Sequence, residues 1–214
     1  MQVYCDTKKL YSEIASEFDL FRTKIWPCVS RFLSTFDTRF SILDIGCGNG
    51  KNMMYKDKDL QFTGVDFCTN LVDICVKKGL SVVEADMTSL PFPDKSFDGF
   101  ISVASYHHLD NDESRKNALH EMYRILKDGG KGLIVVWAKE QELKTKFVFD
   151  SKIKSSKYGF DEKVIWKSGT NQYIRYYHIY EKNDLQNEVK ELCPNFNINN
   201  IGWEKGNWYI ELKK

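Results

Sequence analysis

The sequence predicts an α/β fold: a mostly parallel seven-stranded sheet with helices on both faces. Three observations carry the prediction. From residue 40 onward short apolar runs alternate with helical patterns, the first run leads straight into glycines at alternate positions, and an acidic residue closes each of the next two runs. Alternation at this spacing implies right-handed crossovers between parallel strands.

Before residue 40, Leu10, Ile14 and Phe18, then Ile25, Val29, Phe32, Leu33 and Phe36, recur every three or four residues, as in two amphipathic helices. Pro27 suits the first turn of the second helix, which leaves residues 21 to 26 as the connection. Ser41–Ile45, Phe62–Asp66, Ser81–Asp86, Phe97–Val103 and Gly132–Trp137 read as strands, with helices at Leu71–Lys78 and Asp112–Leu126. The Gly129-Gly130 pair ends the second of these helices and reverses the chain. Residues 139 to 167 carry eight lysines and five acidic residues with little periodicity and are expected to form a mobile loop. Order signals then return in a strand at Tyr173–Ile179, a helix at Asp184–Leu192 and a last strand at Trp208–Leu212.

At 214 residues, 42% apolar, the chain can bury one sizeable core and is too short for two ordinary enzyme domains. We expect a single domain over 1–214: an N-terminal helical lid (1–38), a cofactor-binding core (39–138), a flexible basic loop (139–170) and the C-terminal part of the sheet (171–214). The formal charge of +1 provides no global positive field, so a nucleic-acid substrate would depend on a local patch or a partner. The six cysteines lack C-x-x-C spacing and do not cluster with the four histidines, which points to reduced thiols and no metal site. Residues 1–20 hold no signal-peptide core, and no run approaches the ~18 apolar residues of a membrane span. The expectation is a soluble cytoplasmic protein with no membrane contact.

The chemistry starts at Asp44-Ile45-Gly46-Cys47-Gly48-Asn49-Gly50. Glycine lets the main chain approach a ligand, so Gly46, Gly48 and Gly50 at the carboxyl end of a strand make a cradle, although a tight turn alone would use the same residues. Asp66 ends the second strand where a carboxylate can accept both ribose hydroxyls of an adenosine. Asp86 ends the third, where it can accept the adenine amine while Met87 lies against the ring; either acid could instead be a helix N-cap. A dinucleotide site would use G-x-G-x-x-G and present a helix N-terminus to a pyrophosphate. Here the spacing is G-x-G-x-G after Asp44, a carboxylate that repels pyrophosphate but can help hold the ammonium of a methionine moiety. The set therefore points to S-adenosylmethionine, with S-adenosylhomocysteine as product, and Phe67 and Val103 complete it.

These residues resemble class I methyltransferases, whose core is Rossmann-like. A narrower resemblance follows from Ser96-Phe97-Asp98-Gly99 through Ser105-Tyr106-His107-His108-Leu109, Arg115, Gly129-Gly130 and Val136-Trp137-Ala138-Lys139-Glu140-Gln141. With Tyr11-Ser12-Glu13-Ile14-Ala15, Arg22, Trp26-Pro27, Arg175-Tyr176-Tyr177-His178 and Gly206-Asn207-Trp208-Tyr209, they are similar to the eukaryotic tRNA wobble-uridine carboxymethyl methyltransferases over nearly the whole chain. The resemblance implies esterification of 5-carboxymethyluridine at the tRNA wobble position to the 5-methoxycarbonylmethyl form, the tRNA anticodon loop as substrate, and a heterodimer with a small zinc-binding activator. Two departures stand out: Ser114-Arg115 replaces a common pair of adjacent arginines, and the insertion before the Arg-Tyr-Tyr-His strand is short.

An already ionised carboxylate needs no strong general base, only positioning and exclusion of water. Arg22, in the connection between the first helices, is the first candidate to clamp it, against its reading as a surface arginine. His107 and His108 follow the fourth strand at the edge where substrates meet cofactors; one is expected to be structural, the other a donor to substrate, with His107 favoured. Arg115, Arg175, Tyr176 and His178 complete the substrate-binding expectation, aromatics beside cations suiting an unstacked base, although ordinary sheet packing would also use them. Trp137 and Trp208 are assigned to the core or a partner surface. The competing functions are a small-molecule methyltransferase on the same scaffold and a non-catalytic cofactor-binding scaffold.

Overall fold

The computed structural model describes residues 7–141, 156–168 and 171–214. In chain order these residues form α1 (Thr7–Phe21), α2 (Pro27–Ser34), β1 (Ser41–Ile45), β2 (Gln61–Asp66), α3 (Thr69–Lys77), β3 (Val82–Glu84), β4 (Phe97–Val103), α4 (Asp112–Ile125) and β5 (Leu126–Trp137). They continue with β6 (Phe160–Ser168), β7 (Asn171–Ile179), α5 (Asp184–Leu192), β8 (Asn197–Glu204) and β9 (Asn207–Lys213). Short 3-10 turns occupy Lys51–Met54 and Tyr106–His108.

Seven strands form one sheet in the order β3-β2-β1-β4-β5-β9-β8. The first five pair in parallel, and β9 runs antiparallel between β5 and β8. The order reverses at β1: the chain works outward to β3, then returns to place β4 on the other side. The carboxyl ends of β1 and β4 thus border a switch-point crevice, the usual ligand position in such sheets.

Strand alternation decides which helices cover which face. Leu43, Ile45, Ile134 and Val136 pack with Ala118, Leu119, Met122 and Ile125 of α4 and with Leu185 and Val189 of α5. The intervening residues Ile42, Leu133 and Val135 pack with Val29, Phe32 and Leu33 of α2. Those three α2 side chains are at most 2% exposed, each contributing about 1.5–3 kcal/mol by burial. Pro27 begins α2 in the first turn, and Asn111 caps α4 by accepting the Ser114 N–H at 2.8 Å.

Three expectations need correction in this region. The strand expected at Tyr173–Ile179 is not in the main sheet; as β7 it pairs antiparallel with β6 in a separate two-stranded ribbon. The ribbon is fastened to the end of β5, where Tyr180 N–H bonds Trp137 C=O at 3.1 Å and Lys139 N–H bonds Tyr180 C=O at 2.9 Å. The seventh strand of the main sheet is instead β8, whose Asn197-Ile198-Asn199-Asn200 start has low strand propensity and belongs to a partly exposed edge. Strand β6 lies inside the stretch expected to be a mobile loop; of that stretch, residues 142–155 lie outside the described residues.

Candidate active site

After Ile45 the chain turns through Gly46, Gly48 and Gly50, all left-handed, at φ 72°, 58° and 76°. At Gly46 a β-carbon would meet the Ser105 β-carbon at 2.3 Å, and at Gly50 one would meet Leu80 Cδ1 at 2.3 Å, so conformation and space both require glycine. Ser105 locks the end of β4 to this loop, its hydroxyl donating to Ile45 C=O at 2.8 Å.

Gly46, Gly48, Asp66, Phe67, Asp86, Met87 and Val103 line one cleft at the switch point. Gly50 and Asp44 sit behind its wall. Asp66 Oδ2 accepts the Gly48 N–H at 2.8 Å and Oδ1 the Cys68 N–H at 3.0 Å; burial pushes its carboxyl up, and these backbone donors oppose the shift. Asp86 is exposed, and its Oδ1 accepts the Thr88 N–H and hydroxyl, each at 2.8 Å. Asp44 is fully buried behind Asn52, whose Nδ2 donates to Asp44 Oδ2 at 3.4 Å. Asp44 Oδ1 and Asn52 Oδ1 are buried acceptors with no hydrogen-bond partner among the described residues, and burial pushes the Asp44 carboxyl up to about 7. Two unmatched acceptors beside a glycine cradle fit an ammonium group, which would supply the missing donors and bring the carboxyl back down.

Helix α1 covers this cradle. Leu10, Tyr11, Ile14 and Ala15 are buried against Cys68 and Leu71, and a β-carbon on Gly48 would lie 3.1 Å from the Phe18 ring. At its start Lys8 Nζ is 2.8 Å from Glu84 Oε1. Arg22, in the connection after α1, is exposed and lines the cleft, its guanidinium 5.8 Å from the Phe18 ring centroid.

His107 and His108 stack edge-on at 4.7 Å but carry opposite tautomers. His107 Nδ1 accepts the Trp137 N–H at 3.0 Å, so its proton sits on Nε2, a buried donor with no partner among the described residues. His108 Nδ1 is 2.9 Å from Tyr176 C=O and must carry the proton, leaving Nε2 to accept the Tyr11 hydroxyl at 3.0 Å. Burial holds both rings neutral, His107 well below the ordinary histidine range and His108 down to about 4. Both line the cleft, together with Arg175, whose guanidinium lies 5.4 Å from the Tyr177 ring centroid. Tyr177 in turn stacks on Trp137 at 4.2 Å. Trp137, assigned from sequence to core or partner surface, is therefore part of the cleft wall.

Arg115, Tyr176 and His178, expected to meet substrate, are placed elsewhere, since none of them lines the cleft. Arg115 is 1% exposed, with Nη1 donating to Leu109 C=O at 2.9 Å, Nη2 bonded to Asp112, and Nε 3.3 Å from Glu188 Oε2. The pleat of β7 explains the other two: Arg175 and Tyr177 face the cleft, and the alternate residues Tyr176 and His178 face away, both bonded to Asp161. Sequence reading also missed Tyr11, Trp26, Asn49, Lys51 and Asn52, all in the cleft wall. Asn49 and Lys51 flank Gly50, and that spacing was the available signal.

A methyltransferase-domain family model matches residues 43–134. The tRNA (carboxymethyluridine(34)-5-O)-methyltransferase of Schizosaccharomyces pombe is 31% identical over 225 residues, covering 96% of this chain and 95% of that protein. The chain belongs to the tRNA carboxymethyluridine methyltransferase family. A protein of Encephalitozoon cuniculi named as a methyltransferase is 36% identical over 215 residues, with 96% and 94% coverage. The family member of Xenopus tropicalis is 42% identical over 147 residues, which are 67% of this chain but 23% of that longer protein, so the chain spans only about a quarter of that relative. Solved structures share the class I fold of the family. A Methanosarcina mazei S-adenosylmethionine-dependent methyltransferase superposes with TM-score 0.71 at 18% identity, covering 89% of this chain and 98% of that one. The Haloferax volcanii methyltransferase solved in complex with the Trm112 activator gives TM-score 0.69 at 14% identity, with 97% of each chain covered.

Proposed function

We propose that this chain esterifies the carboxylate of 5-carboxymethyluridine at the tRNA wobble position, using S-adenosylmethionine. The observation that carries the reading is the chemical character of the acceptor side of the cleft. Beyond the cofactor cradle, the described side chains that meet there include three cations, Arg22, Lys51 and Arg175, and the Nε2–H donor of His107, beside the rings of Tyr11, Trp26 and Tyr177. His108 has both ring nitrogens committed to the protein, and His107 has its acceptor nitrogen committed to Trp137. A site of this kind suits a nucleophile that arrives already ionised, as a carboxylate does, and offers little to one that must first lose a proton.

The residues then divide the work. Asn52, backed by Asp44, would hold the methionine ammonium, Asp66 the ribose hydroxyls, Asp86 the adenine amine, with Met87, Phe67 and Val103 packed around them. S-adenosylmethionine supplies an electrophilic methyl on a sulfonium. Arg22 and the His107 Nε2–H would clamp the substrate carboxylate by one oxygen and leave the other to attack, and Arg175 would meet the uridine or its phosphate. Clamping helps only while charge is not drawn from the attacking oxygen in the transition state.

The same reading includes a small zinc-binding activator in a cytoplasmic heterodimer. In its support, β3 ends the sheet as a three-residue edge with Val83 39% exposed, open to strand addition. The described cysteines are free thiols, and among the described residues no helix is long and apolar enough to cross a membrane. The test is incubation with tRNA lacking the wobble ester, with and without the activator, followed by nucleoside mass spectrometry. A methyl ester at the wobble uridine is expected; its absence even with activator present overturns the proposal.

A further inference from the structure

We infer that Asn49 is a positioning residue for substrate: from inside the cofactor loop, its side-chain amide sets the main chain at Arg22 and so the place of the clamp. The inference rests on the proposed role of Arg22. Its geometry is independent of that role.

Asn49 stands between the left-handed Gly48 and Gly50 and is 2% exposed. Its Nδ2 donates to Arg22 C=O at 2.9 Å and to Asp19 Oδ1 at 3.0 Å, using both amide hydrogens on the end of α1 and the connection that follows. Its Oδ1 is 3.4 Å from the Lys51 N–H, which keeps the amide oriented with nitrogen toward the connection. Lys78, the residue after α3, completes the knot: its ammonium donates to Asn49 C=O at 3.0 Å and pairs with Asp19. Burial works against ionisation of Asp19, but the hydrogen bonds from Lys78 and Asn49 outweigh it and hold the carboxyl below its usual range.

Arg22 itself is exposed, its guanidinium lying 5.8 Å from the Phe18 ring centroid, and an exposed arginine keeps many rotamers. Fixing its main chain against the cofactor loop narrows where the guanidinium can reach. The loop that cradles the methyl donor and the arginine that would orient the acceptor thus share one amide. A short side chain at this position that cannot donate twice would leave the cradle glycines intact and release the connection.

The experiment compares the wild type, Asn49→Ala, Arg22→Ala and the double variant, each with activator, for tRNA kinetics, S-adenosylhomocysteine affinity by calorimetry, and trypsin cleavage after Lys24, a site that all four retain. Loss of two hydrogen bonds should lower kcat/KM for tRNA roughly 10- to 100-fold in Asn49→Ala, with cofactor affinity within about threefold and faster cleavage of the connection. The double variant should be no worse than Arg22→Ala, because Asn49 acts through Arg22. Additive losses, or a loss of cofactor affinity as large as the loss with tRNA, overturn the inference. If Arg22→Ala leaves tRNA kinetics unchanged, the clamp reading itself falls, and the inference with it. Asp19→Ala, which removes one acceptor at the surface, repeats the test from the other partner and should shift the same measurements less far; unchanged tRNA kinetics and cleavage there also overturn it.

Discussion

Replacing Arg115 with Met separates a structural cation from a substrate-binding one. Arg115 and Glu188 are 1% and 0% exposed and 3.3 Å apart, and Glu188 Oε1 also accepts the Tyr106 hydroxyl at 2.6 Å and the Tyr180 hydroxyl at 3.1 Å. Removing one partner of such a pair strands the other charge, at a cost of about 3–5 kcal/mol. For a chain of this size that corresponds to roughly 6–20 °C in Tm at 2–4 °C per kcal/mol. Changing Glu188 to Leu in the same protein removes the stranded charge, and most of the loss should return. The pH dependence has a defined sign. Burial already pushes the Glu188 carboxyl up to about 7 with Arg115 present, and the Met variant raises it further. A raised carboxyl means the folded state binds a proton the unfolded state lacks, so the deficit of the variant is largest at alkaline pH and narrows as pH falls toward 7. The assay is thermal denaturation at several pH values beside tRNA kinetics. A Tm within 2 °C of wild type together with a many-fold rise in KM for tRNA would refute the structural reading and restore the substrate role first expected for this arginine.

Three further outcomes are expected. Asp66→Ala should weaken S-adenosylhomocysteine binding by about 10- to 100-fold in calorimetry, the scale of hydrogen bonds to a charged group; unchanged affinity removes Asp66 from the cofactor site. Ala at Gly46 adds both a left-handed non-glycine residue and a 2.3 Å contact with Ser105, whereas Ala at Gly79 adds only the former, at φ 76° with nothing within 4 Å. The first should abolish cofactor binding and the second cost about 1–2 kcal/mol of stability, and equal effects by calorimetry and denaturation would contradict the packing described. His108 titrates at about 4 in the fold against 6.5 unperturbed, so between those values the unfolded chain gains a proton the fold refuses, and stability falls with pH by about 1.4 kcal/mol per unit from this group. In His108→Asn, which keeps a donor toward Tyr176, the acid limb of the stability profile should be shallower by that amount; parallel profiles would show that the ring is not held neutral.

The cofactor half of the site was legible because its determinants are local. A strand, glycines two apart and acids at successive strand ends are all readable as spacing, and Asp66, Asp86 and Met87 came out in one cleft. The acceptor half depends on which way side chains point and on partners remote in sequence. Arg115 read as a substrate-binding cation because nothing local announces Glu188, seventy-three residues away, as its buried partner. Arg175, Tyr176 and His178 read as one polar set, and only the pairing of β7 with β6 shows which of them the pleat turns toward the cleft. The two adjacent histidines were inseparable in sequence, since their tautomers are set by a main-chain amide on β5 and a carbonyl on β7. Strand β8 was missed because an edge strand needs no strong apolar pattern.

The seating of α1 bears on how fast such an enzyme can recycle. Leu10, Tyr11, Ile14 and Ala15 are all under 9% exposed, whereas the Lys8–Glu84 pair at the start of the helix is nearly half exposed on both sides. Lifting α1 would therefore be resisted by apolar contact, on the order of several kcal/mol, and by the Asp19–Lys78–Asn49 knot at its far end, but only slightly by the Lys8–Glu84 pair. Spent donor beneath the helix can leave only when both of these holds give way. The same snug cover that keeps water from the reacting groups becomes a toll on every round of release.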